Sequence, residues 1–400
     1  MDNFINKKVN CKIGSMIFCG AIISSGFFPF VPVLTDYGIY PFLTLYVLSL
    51  CCFLICFAKN PFLDKVSIII LFFLLYLMLN MAVAHLNYVS INDWFRGLVP
   101  FLFLVGYLLA NKLFHKGICQ IYNAIWLACC FWMLRLFILS GTAIFDIFNG
   151  SLARLSYVST DTLVPFGMVG FVLTLYHENL KKNYKVLFSF LFFFVVFVSG
   201  YRSQILLIII VLLFFMKNNV SKKIILVFIV LVLPLTISQL PKITAYKAIA
   251  ERFSNIGEEK GGVRENEMRY AISNFLDSPL LGKGLSFPVP IEVTRDINTM
   301  ARFETDEVRY MHNIVGYFLM DTGLIGFAFL VIFWMKCLSK IFKYFKLLRS
   351  LNYFSGVSIA WLCLSAFFLV SASFRQVQTV FLFSIMSFVI LRYSPRQVPC

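Results

Sequence analysis

Long apolar runs separated by short charged breaks make up most of the chain, and one extended polar stretch interrupts them near residues 241–310. A run of about twenty apolar residues is long enough to cross the hydrocarbon core of a bilayer as a helix. Twelve such runs can be read, at 13–32, 39–57, 66–84, 97–111, 120–139, 162–176, 186–200, 203–216, 224–240, 311–335, 355–373 and 377–391. The break Ser199-Gly200-Tyr201-Arg202-Ser203 is very short, so the spans around it are the least sharply divided. The pattern predicts an all-α, polytopic membrane bundle of about twelve transmembrane helices with one large loop on the outer side. Its parts are an N-terminal bundle of about nine spans over 1–240, a loop over 241–310 that caps the bundle, and about three C-terminal spans over 311–400.

Composition supports this class. Sixty per cent of residues are hydrophobic and 14% are charged, with a mean hydropathy of +0.85, beyond the usual range of a soluble domain. The apolar run after Lys7, Lys8 and Lys12 lacks a small-residue cleavage pattern and reads as an uncleaved first span.

The net charge of +16 would suggest nucleic acid in a soluble protein, but here its placement matters more, and no nucleic-acid partner is expected. Every second short connection carries lysines, from Lys59 and Lys65 to Lys336, Lys340, Lys343 and Lys346. The positive-inside rule then puts these connections and both termini in the cytoplasm. On the opposite side ten of fourteen basic residues are arginine, whereas seventeen of the twenty inner ones are lysine. Lysine suffices for topology. Arginine adds a planar fork that grips phosphate or carboxylate and keeps its charge when partly desolvated. The outer face therefore has the composition of an anion-handling surface, although ion pairs with the outer carboxylates would also explain it.

The eleven cysteines fall in spans or at inner edges, and the four histidines are scattered. No disulfide framework, metal-ligand spacing or Asp-x-Asp pair is present in the sequence, so neither metal nor cofactor is expected.

Candidate chemistry gathers where the polar stretch meets the tenth span. Arg309-Tyr-Met-His312-Asn313 lies at the boundary, with Asp321, Gly323 and Gly326 further along the span. Polar groups at such depth are costly and mark function. Within the loop, 241–253 suits an interfacial helix and 257–262 a linker. Met268, Ala271, Ile272 and Phe275 define an amphipathic helix over 264–276, and Asp277-Ser-Pro279-Leu-Leu-Gly282-Lys-Gly284 a turn.

Three pieces of this region resemble the O-antigen ligase/polymerase superfamily. They are Ser199-Gly-Tyr-Arg202-Ser203 at the mouth of a span, Gly262-Val-Arg264 fifteen residues before Pro279, and His312-Asn313 followed by Asp321-Thr-Gly323-Leu-Ile-Gly326. The likeness covers roughly 186–335. Met268 stands where the family more often has an aromatic residue.

The resemblance implies a multi-pass protein of the bacterial inner membrane whose loop is periplasmic. It also implies a substrate oligosaccharide carried on undecaprenyl diphosphate, and a chain-length regulator protein as a further partner beside the lipid bilayer. His312, Arg264 and Arg202 become the catalytic candidates, and Arg269, Arg309, Asn313, Arg96 and Arg154 candidates for holding diphosphate or glycan. Each has a plainer alternative. Arg202 could snorkel at the interface, Arg264 could pair with Glu265 or Glu267, Arg269 is marked by position alone, and Asn313 could serve only the helix start. Asp321 is read as a buried polar contact, with Arg135 a candidate partner, and the glycines as close packing between helices.

Three functions compete on this reading. A metal-independent, inverting glycosyltransferase that polymerises lipid-linked repeat units comes first. A ligase that moves the glycan to lipid A-core comes second, and a lipid-linked oligosaccharide flippase third.

Overall fold

A computed structural model describes residues 2–26, 40–59, 63–114, 118–148, 165–199, 202–214, 263–290, 307–309, 311–349, 352–369, 371, 374 and 376–394. The described chain is mostly helical. In order it comprises α1 (Asp2–Ser24), α2 (Tyr40–Lys59), α3 (Lys65–Leu86) and α4 (Ile91–Leu102), then a 3₁₀ turn at Phe103–Val105 and α5 (Gly106–Leu113). Then come α6 (Ile118–Phe148), α7 (Pro165–Tyr176), α8 (Lys182–Ser199), α9 (Arg202–Phe214) and α10 (Val263–Asp277). The strands β1 (Val289–Pro290) and β2 (Glu307–Val308) precede α11 (Ile314–Lys343), α12 (Tyr353–Phe368) and α13 (Val377–Arg392). Eleven of the runs read as spans coincide at least in part with these helices; 224–240, like 241–262, lies outside the described residues.

Among the described residues, three helices are long and apolar enough to cross a membrane: Lys65–Leu86, Ile91–Leu113 and Ile314–Lys343. Shorter apolar helices accompany them, including Pro165–Tyr176, Tyr353–Phe368 and Val377–Arg392. Helix α3 shows why these surfaces suit lipid. Ile70, Phe73 and Leu77 are buried against the bundle, while Phe72, Leu75 and Leu79 are exposed on the other side. A helix apolar all round, with large hydrophobic side chains exposed, fits a membrane-spanning element.

Helix α4 begins six residues earlier than the apolar run. Ser90 caps it by accepting from the Asp93 N–H at 3.1 Å and donating its hydroxyl to Asp93 Oδ2 at 2.7 Å. This reciprocal cap extends the helix over a polar first turn. Pro100 lies inside α4 and cannot donate a helical hydrogen bond. The 3₁₀ turn follows at once, and the carbonyls of Leu102 and Phe103 accept from Tyr46 Oη and Ser384 Oγ, both at 3.2 Å. Backbone groups released in a membrane helix need such partners, because lipid offers none.

A second junction joins α6, α7 and α12 at the end that carries Lys181, Lys182 and Lys185. Trp126 Nε1 donates to Thr174 Oγ1 at 2.9 Å, and Tyr122 Oη donates to the Leu173 carbonyl. His177 is held between the rings of Tyr122, Trp126 and Tyr353. It is a packing histidine of that junction.

Helices α10 and α11 are joined by an interlock. Helix α11 is broken at Gly323, which has φ 60° and ψ −165°. The break releases carbonyls above it and N–H groups below it, and the turn 279–284 takes up both sets. Lys283 and Gly284 donate to the carbonyls of Met320 and Asp321, at 2.8 and 2.9 Å. Leu324 and Ile325 donate to the carbonyls of Pro279 and Leu280, at 2.8 and 3.3 Å.

Helix α3 seals the joint. Asn80 Nδ2 donates to the carbonyls of Leu281 and Asp321, both at 3.2 Å, and Asn80 Oδ1 accepts from the Leu285 N–H at 2.8 Å. The Asp321 carboxylate is fully buried and accepts from the Ser286 N–H at 2.7 Å. Asp321 is thus the buried polar contact expected of it, while the Arg135 side chain is outside the described part.

Gly323 has a more particular role than helix packing. Gly282, Gly284 and Gly323 all have positive φ, and a Cβ on any of them would collide with backbone of the facing segment. Here glycine supplies a backbone conformation and room for two main chains to touch.

Candidate active site

The interlock sets where α10 lies. Above the joint α10 and α11 run side by side in the same direction, with Ala271 packed where Gly316 has no side chain. One turn earlier on α10 stands Glu267, and four residues before Gly316, just ahead of α11, stands His312. Glu267 is fully buried. Its Oε2 accepts from the His312 backbone N–H at 2.9 Å, and its Oε1 lies 2.8 Å from His312 Nδ1. One carboxylate therefore grips both the main chain and the ring of the candidate base.

The buried face of α10 differs from the one read in the sequence. Ala271 is buried and Met268 and Phe275 partly so, but Ile272 is exposed and Glu267 takes the most enclosed position. Glu267 was not among the candidates, since its neighbour Arg264 offered it an ordinary partner on the same helix. Its spacing of four from Ala271 was the available signal, but only the packing against Gly316 shows which face is inward.

Arg269 lies on the far side of α10, exposed and paired with Glu265 across one turn, with Nη2 2.5 Å from Oε1. The structure does not bring it to His312. Arg264, one turn before Glu267, and Arg202, the first residue of α9, are described by backbone position alone. Arg154 lies outside the described residues.

Arg309 and Arg96 are brought together. The ladder pairs Val289 with Val308 and Pro290 with Glu307, which returns the chain from the loop to Arg309, three residues before His312. Arg309 Nη2 lies 3.7 Å from Asp93 Oδ2, and Arg96 Nη1 lies 3.7 Å from Asp93 Oδ1. Asp93 thus holds two arginines from distant parts of the sequence at the start of α4. Arg96 is 80% exposed and Arg309 33%, so both remain near the surface. Asn313 caps α11, its Oδ1 accepting from the N–H groups of Val315 and Gly316 at 2.8 and 3.4 Å. That is the helix-start role weighed for it.

A helical membrane protein with a carboxylate-held histidine at a helix mouth, and two arginines gathered on one aspartate, is the class these features define. Residues 187–331 match the family model described as O-antigen ligase. The match supports the O-antigen ligase/polymerase superfamily, as the motifs over 186–335 suggested, and with the apolar helices it marks an integral membrane protein. The matched segment contains Arg202, Arg264, Glu267, Arg269, Arg309, His312, Asn313 and the whole interlock, while Arg96 and Arg154 precede it. No curated protein matches the chain.

Proposed function

We propose that the protein is an inner-membrane glycosyltransferase that polymerises undecaprenyl-diphosphate-linked oligosaccharide repeat units, of O-antigen or a related surface polysaccharide, at the periplasmic face. The observation that carries this reading is His312, fixed at the mouth of α11 within the segment that matches the family.

In the reaction, His312 takes the proton of an acceptor sugar hydroxyl as its oxygen attacks the anomeric carbon of the donor. The bond from that carbon to the diphosphate oxygen breaks, and the electron pair leaves with the lipid diphosphate. Attack opposite the leaving group inverts the anomeric centre. The departing diphosphate is already a good leaving group, so it needs charge neutralisation more than protonation, and arginines supply that without a metal. Arg264 and Arg202 are assigned this task. Arg309 and Arg96, held by Asp93, extend the basic surface toward the glycan or diphosphate. Asn313 shapes the helix start, and Arg269, turned outward, is left with a peripheral part.

The likeness of residues 187–331 to the O-antigen ligase family favours a second reading, in which the same site transfers finished glycan to lipid A-core. The acceptor distinguishes the two. In a strain lacking this gene, a lipopolysaccharide gel showing core plus one repeat supports polymerisation. Bare core with accumulated lipid-linked polymer supports ligation. An unchanged glycan ladder contradicts both.

A further inference from the structure

We propose that Glu267 is the positioning residue of this site, holding His312 with Nδ1 protonated so that Nε2 is the ring atom that accepts the proton. This rests on the reading of His312 as the base, and it adds a residue and a tautomer that the reading alone does not supply.

Three observations support it. Glu267 is fully buried, and a carboxylate is kept out of water only where hydrogen bonds compensate it. Both of its oxygens are spent on one residue, at 2.9 Å to the His312 backbone N–H and 2.8 Å to Nδ1. A two-point grip fixes the ring as well as the chain, where a single bond to the ring would let the backbone drift. Finally, the contact of Ala271 with Gly316 sets the spacing of the two helices one turn away, so the grip belongs to a packed interface.

The tautomer follows from the acceptor. An ionised carboxylate has only lone pairs to offer, so a neutral imidazole 2.8 Å away must present Nδ1–H, and the opposite tautomer would set two lone pairs against each other. The remaining lone pair is then on Nε2. When Nε2 takes the acceptor proton, the imidazolium formed is stabilised by the Glu267 charge across the ring. Carboxylates orient and stabilise imidazole in this way wherever a histidine must act from one defined nitrogen. The same contact ties the base to the loop, since His312 is held only while α10 is docked on α11.

The test is the tautomer of His312 in the full-length protein in lipid nanodiscs, labelled with ¹⁵N in its four histidine rings. The His312 signals are assigned by their loss in His312→Ala. The expected spectrum shows the Nδ1–H form at neutral pH in the wild type and a shift toward the Nε2–H form in Glu267→Gln. That amide keeps the size of the side chain but has one acceptor oxygen for two donors. Transfer assays on the same samples should show kcat reduced on the order of 10²-fold with the donor KM changed less than about threefold. Glu267→Asp should recover part of the loss seen in Glu267→Ala.

An Nε2–H form in the wild type, or an unchanged kcat in Glu267→Gln, overturns the proposal. The wild-type spectrum decides even if the variants fail to fold. Full transfer activity in His312→Ala would instead overturn the catalytic reading of the histidine, whatever its tautomer.

Discussion

The residues that matter most here are held through more than one bond each. His312 is fixed at its backbone and at its ring by Glu267, and Asn80 gives two hydrogen bonds and accepts a third at the interlock. Replacing Asn80 by Ala strips the buried Leu285 N–H of this acceptor, while the Asp321 carbonyl keeps its bond from the Gly284 N–H. Each unsatisfied group costs roughly 1–3 kcal/mol, so Asn80→Ala should lower the melting temperature of the purified protein clearly, with transfer activity falling alongside. An unchanged melting temperature would show that other groups satisfy the turn. His312→Ala should act differently, lowering transfer about 10²–10⁴-fold while the protein still reaches the membrane; it also strips Glu267 Oε1 of its ring partner, so some fall in melting temperature accompanies the loss. His312 drew attention in the sequence because it is a polar residue where a polar stretch meets an apolar run. Glu267 did not: Glu265 and Glu267 are equally plausible partners for nearby arginines, and one pairs with Arg269 in solvent while the other is buried under His312. Nothing local separates them.

At the scale of elements, the chain is organised by a broken helix and the turn that fills the break. Apolar runs show where helices pass, and most of them were read at about the right place. They do not show that α11 stops and restarts at Gly323, because apolar residues continue on both sides of it. The Ser-Pro-Leu-Leu-Gly-x-Gly turn and the Asp-x-Gly-x-x-Gly tail looked like separate motifs, yet they are the two halves of one joint. Gly284→Ala should be severe, since it needs φ near 100° and would drive a Cβ into Ala84. The backbone strain alone is of order 1–3 kcal/mol. Loss of the folded protein from detergent extracts, measured by size-exclusion profile, is the expected outcome; a wild-type profile would mean that the turn can move away. Gly316→Leu addresses the other contact. It should wedge α10 from α11 and separate Glu267 from His312, lowering transfer by at least tenfold while the interlock below keeps the protein folded. A crosslink or distance probe across α10 and α11 would register the separation.

Over the whole molecule, the recognisable chemistry lies at one end of the bundle. The start of α4, the start of α11, helix α10 and the small ladder meet there, and the end of α3 supports them. The lysines of the last turn of α11, Lys340 and Lys343, mark the other end. Arginine and histidine thus lie toward one end of the bundle and these lysines toward the other. The coarse class, a helical membrane protein, was legible in the sequence because it depends on run length and composition, which are local. How Asp93 gathers Arg96 and Arg309 was not, because it depends on the ladder of two short strands and the reciprocal cap of α4. Placement of the loop on the periplasmic side is checked by labelling a cysteine introduced at Arg269, which is exposed on α10. In a background without the native cysteines, an impermeant maleimide should react with it in intact spheroplasts; reaction only after lysis would reverse the orientation.

The most direct test is a single-compartment reaction. Purified protein in detergent is given an undecaprenyl-diphosphate-linked repeat unit, and products are resolved by gel, with His312→Ala run beside the wild type. The expected result is extension of the lipid-linked glycan by the wild type, with release of undecaprenyl diphosphate, and a loss of at least a hundredfold in the variant. Equal extension by both proteins would contradict the assignment of the site.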